Sequence, residues 1–195
     1  MGRDKALIGV GGEPLFLRVA RTMAEVADPV LLAPGARGRL GDTGFADVED
    51  ERPDAGPLGG ILAGLTASPH PLTAVVAVDM PFASASVLAL LASRAAGYDA
   101  VVPLTADGLQ PLHAVYAASA LEPLRAALAD GTRGVLVALE RLRVDIVGPE
   151  VWGAADPTGG FAFNLNRPED LATFGSPATR KGARRRPSDE RDGDR

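Results

Sequence analysis

Cysteine is absent from the 195 residues, so neither a disulfide framework nor a thiolate metal site is open to this chain. Histidine is scarce: His70 and His113 are the only two, too few for a multi-histidine metal centre. Aromatic residues make up 5% of the chain against a hydrophobic total of 46%, so the core must be aliphatic. No apolar run approaches the roughly 20 residues that a membrane helix needs. The opening Met1-Gly2-Arg3-Asp4-Lys5 lacks the apolar core of a signal peptide. The expectation is a soluble, cytoplasmic protein without a membrane partner. No serine stands in the context of a nucleophilic triad.

Positive charge is short as well. The formal net charge is −5. Seven of the 20 basic and four of the 25 acidic residues fall after Gly175, which leaves 13 basic and 21 acidic residues before it. An acidic body argues against nucleic acid as a partner. The composition at 176–195 predicts a disordered, charged, solubilising tail, in which Arg184, Arg185 and Arg186 are the residues that could touch an anionic partner. Residues 1–175 read as one domain.

What the chain does have is a buried-type strand that ends in an acid. Thr73 to Val78 is β-branched and apolar on both faces, and Asp79, Met80 and Pro81 follow. Such a run reads as a central strand of a parallel sheet, and Pro81 prevents it from continuing. Asp79 is thereby placed at the carboxyl end of the strand, the edge where open α/β sheets bind ligands. A carboxylate there suits a hard cation such as magnesium beside a nucleotide phosphate. The competing reading is a helix cap or turn carboxylate.

Helical spacing marks Pro14 to Ala27, Leu58 to Ala67, Ser84 to Ala95 (with Ser84 as cap), Ser119 to Ala129, Val135 to Leu142 and Pro168 to Phe174. Strand candidates are Pro29 to Ala33, Phe45 to Val48, Thr73 to Val78, Asp99 to Pro103, Pro111 to Ala117, Arg143 to Val147 and Phe161 to Leu165. This alternation predicts a single α/β domain, three-layered αβα and Rossmann-like, with a mostly parallel sheet. A doubly wound domain usually opens on a strand whose loop meets phosphate. Here the first strand is missing, and Gly2-Arg3-Asp4-Lys5 stands where that loop would end.

Three more segments carry candidate chemistry. Gly2 beside Lys5 allows a phosphate to approach the backbone and supplies a mobile positive charge; an arbitrary basic start looks the same. Gly56-Pro57-Leu58-Gly59-Gly60 permits a tight turn into a helix with free N–H groups at its start, or else reflects turn chemistry and close helix packing at Gly59, Gly60 and Gly64. Asn164 and Asn166, two apart on a strand end, offer donors and acceptors for a heterocycle, unless Asn166 caps the following helix. His113 lies within a strand candidate and reads as a core residue, and Trp152 reads as packing.

Taken in order, these segments resemble the molybdenum cofactor guanylyltransferases and, more broadly, the MobA-like nucleotidyltransferases. Met1, Gly2, Asp4 and Lys5 are similar to the end of that family's opening Leu-Ala-Gly-Gly-x-Ser-x-Arg-Met-Gly-x-Asp-Lys loop. Glu13-Pro14-Leu15, Gly56-Pro57-Leu58-Gly59-Gly60, Asp79-Met80-Pro81, Gln110-Pro111-Leu112 and Phe163-Asn164-Leu165-Asn166 with Pro168-Glu169-Asp170-Leu171 resemble its later elements. The resemblance covers residues 1–174 and implies a nucleotide-diphospho-sugar-transferase type of fold. It implies that Lys5 binds the nucleotide's phosphates and that Asp79 is the magnesium ligand. It implies that Asp50, with Asp54 as rival, contacts the nucleotide ahead of Gly56, Pro57 and Leu58, and that these three and Gly2 belong to the nucleotide site. Asn164, Asn166 and Arg133 fall at positions linked with the pterin substrate. Two departures stand out. The family's opening strand and Leu-Ala-Gly-Gly portion are absent, and Met1 coincides with an internal methionine of the motif, as a start placed too late would give. The asparagine after the family's second strand is replaced at Ala33 or Pro34.

The implied reaction is transfer of GMP from GTP to the phosphate of molybdopterin with release of pyrophosphate, dependent on Mg2+. GTP and a molybdopterin-type substrate are the implied ligands. Proteins of molybdenum-cofactor biosynthesis are the implied transient partners, and the chain itself is read as a monomer or weak homo-oligomer. Rival readings are cytidylyl or guanylyl transfer to another phosphorylated acceptor, and a non-catalytic binding module with a truncated nucleotide site.

Overall fold

Local chemistry explains where the first elements start and stop in this computed structural model, which describes residues 9–10, 12–35, 38–50, 52 and 55–165. Strands β1 (Gly9–Val10) and β2 (Glu13–Pro14) pair as an antiparallel hairpin. Helix α1 (Leu15–Ala24) follows, with Pro14 just before its first turn and Leu15, Phe16, Val19 and Ala20 buried at helical spacing. Strands β3 (Leu31–Leu32) and β4 (Ala46–Asp47) form a separate two-stranded parallel sheet. Helix α2 (Gly56–Ala67) then leads to β5 (Leu72–Val76).

Helix α3 (Ala85–Ser93) begins where expected, with the Ser84 hydroxyl accepting the Val87 N–H at 3.3 Å. Beyond it lie β6 (Ala100–Thr105), β7 (Gly108–Leu109) and β8 (His113–Ala117). Helices α4 (Leu121–Ala129) and α5 (Val135–Leu139), strand β9 (Val144–Val147) and the short helix α6 (Pro149–Trp152) complete the order.

The main sheet runs β5-β8-β6-β9, with β7 paired to the far end of β6. Strands β5, β6 and β9 share one direction, and β8 runs against both of its neighbours. The reversal has a simple cause. Only seven residues separate Thr105 from His113, whereas a parallel return needs a crossover of a dozen or more. Side chains alternate across the sheet as the pleat requires. Ala100, Val102, Ala114 and Tyr116 pack with α2, α4 and α5, and Val101, Val115 and Val147 pack with α3, Trp152 and Phe161 on the other face. The three-layer α/β architecture expected from the alternation is thus present.

A clamp between buried Asp99 and exposed Arg143 ties the start of β6 to the start of β9. Asp99, 7% exposed, accepts the Arg143 backbone N–H at 2.9 Å, both Nε and Nη2 of the same guanidinium, and the Ser119 hydroxyl at 2.6 Å. The Arg143 side-chain bonds, ahead of the opposing effect of burial, hold the Asp99 carboxyl well below the usual carboxylate range.

Three expectations need correction. Among the described residues β5 is not a central strand in a parallel run: it stands at the end of the order and pairs antiparallel with β8. Phe161 to Leu165 is not a strand: Gly160–Ala162 forms a single 3-10 turn. The Asp156 carboxylate accepts the N–H groups of Thr158 and Phe161 at 3.0 Å each, and Gly159 adopts a left-handed φ of 65°. That local bonding curls the chain before it can join a ladder. The helix at 135 also closes early, at Leu139. The segments at 168–174 and 176–195, with Gly2, Lys5, Asp54 and Asn166, lie outside the described residues.

Candidate active site

Asp79 sits on the turn that leaves β5, at the carboxyl end of the strand. Four elements fasten that turn. The Ala77 N–H donates to the Leu112 carbonyl at 2.8 Å, and the Arg18 guanidinium of α1 donates to the Pro81 carbonyl at 2.9 Å. The Ser84 N–H donates to Nε2 of His113 at 3.1 Å, and the Leu165 N–H donates to the Asp79 carbonyl at 2.7 Å. The rings of Phe82 and Phe163 pack at 5.9 Å. Segment 163–165 therefore runs beside the Asp79 turn and carries the exposed Asn164 with it, whose amide donates to the Ala162 carbonyl.

His113 is fully buried at the start of β8, 4.7 Å from the Phe161 ring. Because Nε2 accepts a backbone N–H, the proton of the neutral ring resides on Nδ1, which has no partner. Burial lowers its pKa to about 4. The expectation of a core histidine holds, and the ring has an added task, since it fixes the start of α3 and the end of the Asp79 turn. Arg18 went unnoticed in the sequence, because nothing local links it to a turn 63 residues away. Trp152 is packing, with its indole N–H on the Leu104 carbonyl at 2.9 Å and its ring edge-on to Phe161.

The second cluster is the start of α2. Gly56 has φ +62°, and no side chain caps the helix, so its first N–H groups are left for another acceptor. Asp50 lies against the first turn: a Cβ added at Gly59 would stand 3.1 Å from the Asp50 carboxyl and 2.6 Å from the Ala55 Cβ. Glycine at 59 is what lets the carboxylate approach. One Asp50 oxygen, Oδ1, is sealed from solvent without a hydrogen-bond partner, and burial pushes its carboxyl pKa up. A sealed, unpartnered acceptor beside free helix N–H groups is an arrangement ready for a ligand that donates. Pro57 and Asp79 line one common cavity, so the α2 start and the β5 end open on the same space.

Arg133 stands apart. Its guanidinium donates to the carbonyls of Leu128 and Thr132 at the end of α4, where Arg52 also reaches Leu128. No described contact joins Arg133 to Asn164 or Asp79. A group of three or more carboxylates and histidines suited to a metal does not occur among the described residues. A single strand-end carboxylate does fit magnesium, which keeps several waters and takes one or two protein carboxylates together with substrate phosphates.

Fold and site together define an α/β nucleotidyltransferase domain. A family model of the MobA-like NTP transferase domain matches residues 1–146, and the chain belongs to that family. It is 38% identical over 176 residues to a probable molybdenum cofactor guanylyltransferase of Chloroflexus aggregans, covering 87% of this chain and 85% of the relative. It is 33% identical over 171 residues to a protein of the same description from Pelotomaculum thermopropionicum, covering 88% and 83%. Among solved structures, molybdopterin-guanine dinucleotide biosynthesis protein A of Archaeoglobus fulgidus superposes with a TM-score of 0.75 at 29% identity, covering 86% of this chain and 87% of that one.

Proposed function

We propose that this protein is a molybdenum cofactor guanylyltransferase: it transfers GMP from GTP to the terminal phosphate of molybdopterin. A phosphate oxygen of the acceptor forms a bond to the α-phosphorus of GTP. The bond from that phosphorus to the β-phosphate bridge oxygen breaks, and pyrophosphate leaves in line. Asp79 would hold Mg2+, which supplies charge neutralisation on the phosphates when bound. Lys5 stabilises charge on the same phosphates. Gly2, Gly56, Pro57 and Leu58 shape the nucleotide site, and the sealed oxygen of Asp50 accepts a donor from the nucleotide. Asn164 and Asn166 meet the pterin, and Arg133 its phosphate. In this reading residues 1–175 are the catalytic domain, 176–195 are a disordered tail, and the chain works in the cytoplasm as a monomer or weak homo-oligomer. No described helix is long and apolar enough to cross a membrane.

The observation that carries the reading is the 2.7 Å bond from the Leu165 N–H to the Asp79 carbonyl. It joins the backbone next to Asn164 to the backbone of Asp79, which supports the reading that acceptor and phosphates meet there.

The test is guanylyl transfer by the purified protein, with GTP, CTP and ATP offered in turn to molybdopterin and with magnesium present or chelated. Magnesium-dependent product from GTP is expected, and Asp79→Asn should cut turnover at least about tenfold, near 1.4 kcal/mol of barrier. Turnover from CTP in preference to GTP, or an Asp79→Asn variant as active as the parent, refutes the assignment.

A further inference from the structure

Strand β9 borders the main sheet: among the described residues it pairs only with β6. We infer that its open edge is a contact between two copies of this chain, which pair β9 with β9 antiparallel about a two-fold axis at Val144.

The edge is aliphatic, where edge strands are normally blunted by charge, proline or a cover. Arg143 turns its backbone carbonyl to β6, where it accepts the Asp99 N–H at 2.8 Å. Alternation along the ladder therefore leaves the N–H and C=O groups of Val144 and Ile146 on the open side. Beside them lies a groove of about 480 Å³, lined by both residues and by Leu109 of β7 and Leu136 of α5. Leu136 and Ile146 are each 53% exposed. Exposed aliphatic side chains next to open backbone groups mark an interaction surface.

Charge selects a second copy as the occupant, and it selects the register. A two-fold axis normal to the sheet pairs residues of the same face, so the axis passes through a residue. An axis at Asp145 would set two carboxylates opposite each other, which is destabilising. An axis at Ile146 would set Val144 against Gly148 and make no charge pair. An axis at Val144 sets Arg143 opposite Asp145 of the second copy, twice. Within each chain Arg143 already holds Asp99 at 2.9 Å, and Asp145 already holds Arg94 at 2.8 Å. The pairing joins these into a row of alternating sign: Asp99 and Arg143 of one copy, then Asp145 and Arg94 of the other.

On the opposite face, which Leu142 and Val144 share with α5, Leu142 meets Ile146 of the second copy and Val144 meets itself. The Leu142 N–H is engaged by the Leu139 carbonyl at 3.0 Å. The ladder therefore consists of Val144 N–H to Val144 carbonyl and Ile146 N–H to Leu142 carbonyl, each made twice. So short a ladder gives a weak, reversible dimer. Residues 176–195 are no rival for the groove, since they contain no valine, isoleucine, leucine or aromatic residue.

The experiment is sedimentation equilibrium of the full-length protein from about 10 µM to about 1 mM, with disulfide capture as a second readout. The parent should pass reversibly from monomer toward dimer across that range. Ile146→Lys puts a charge on the edge at an exposed position and should stay monomeric throughout, with an unchanged melting midpoint. The chain has no cysteine, so an introduced thiol reports only its own neighbour. Val144→Cys falls on the axis, where paired Cα atoms stand about 5.5 Å apart, within the span of a disulfide. It should form an intermolecular disulfide under mild oxidation. Ile146→Cys falls two residues off the axis, with its two copies about 14 Å apart, and should not. A parent that is monomeric at the highest concentration overturns the inference and returns the edge to solvent or to a different protein. A dimer that survives Ile146→Lys overturns it, as does a disulfide that forms at Ile146→Cys as fast as at Val144→Cys, because the interface or its register then lies elsewhere. None of these readouts uses catalysis, so the inference stands or falls separately from the guanylyltransferase assignment.

Discussion

Two groups of strands are built from nearly the same residues and end in different states. Strands β6 and β8 lie among α2, α3, α4 and α5, with side chains alternating into two closed cores. Strands β3 and β5 are equally aliphatic, yet both stay partly exposed around an open cavity. The difference teaches that burial of a strand is a property of its neighbours. A run of β-branched residues can be covered by helices on both faces and still be wet along an unpaired edge. The chemistry sits at the border of the two halves. Asp79 leaves β5, and its turn is fastened to the closed half by Leu112 and His113 and to α1 by Arg18.

The comparison can be broken or sharpened by substitution. The largest effect is expected in the closed half. Phe161 is fully buried between His113 and Trp152, and Phe161→Ala should cost about 3–5 kcal/mol in chemical denaturation; a loss under about 1 kcal/mol would mean that this half is no better packed than the other.

Next comes acid. His113 is neutral in the fold with a pKa of about 4, against an ordinary value of 6.5. The unfolded chain therefore binds the extra proton between those values, and stability should fall as pH drops from about 6.5 to about 4, by on the order of 3 kcal/mol. His113→Phe should flatten that part of the denaturation profile. An unchanged slope in the variant would assign the acid sensitivity to other groups.

In the open half Val75→Ala should cost only about 1 kcal/mol or less, because the side chain already meets solvent. Thermal melts of this variant beside Phe161→Ala set the scale of the contrast.

The smallest effect has the opposite sign. Burial raises the Asp50 pKa, so the charged carboxylate weakens the fold above that pKa. Asp50→Asn should raise the melting midpoint slightly at neutral pH and leave it unchanged in acid, where the parent carboxyl is protonated. Titration of the same variant with GTP should show weaker binding; a midpoint lowered at neutral pH would contradict the desolvation of this carboxylate.

Much of this was legible in the residues themselves. Helical spacing located α1, α2, α3 and α4, and Ser84 announced its own cap. Thr73 to Val78 closed by Pro81 placed Asp79 just past a strand end, and β5 is observed to end at Val76. The three-layer α/β class followed from alternation alone. The strand at 161–165 failed because apolarity was read without the Asp156 carboxylate, whose bonds to Thr158 and Phe161 turn the chain. The short helix at Pro149–Trp152 was too brief to show a period.

The sequence by itself determined which segments are apolar, where turns and caps interrupt them, and that an acid follows the run Thr73 to Val78. These are local properties, set by side-chain chemistry within a few residues. Only the tertiary structure decided that β8 runs against its neighbours and that Arg18 and His113 fasten the Asp79 turn. It alone decided that an Asp50 oxygen is sealed against α2 without a partner and that two strand edges face one apolar cavity. Each of these depends on groups far apart in the chain meeting at hydrogen-bond distance, and long-range geometry of that kind leaves no periodic trace in the residues that take part.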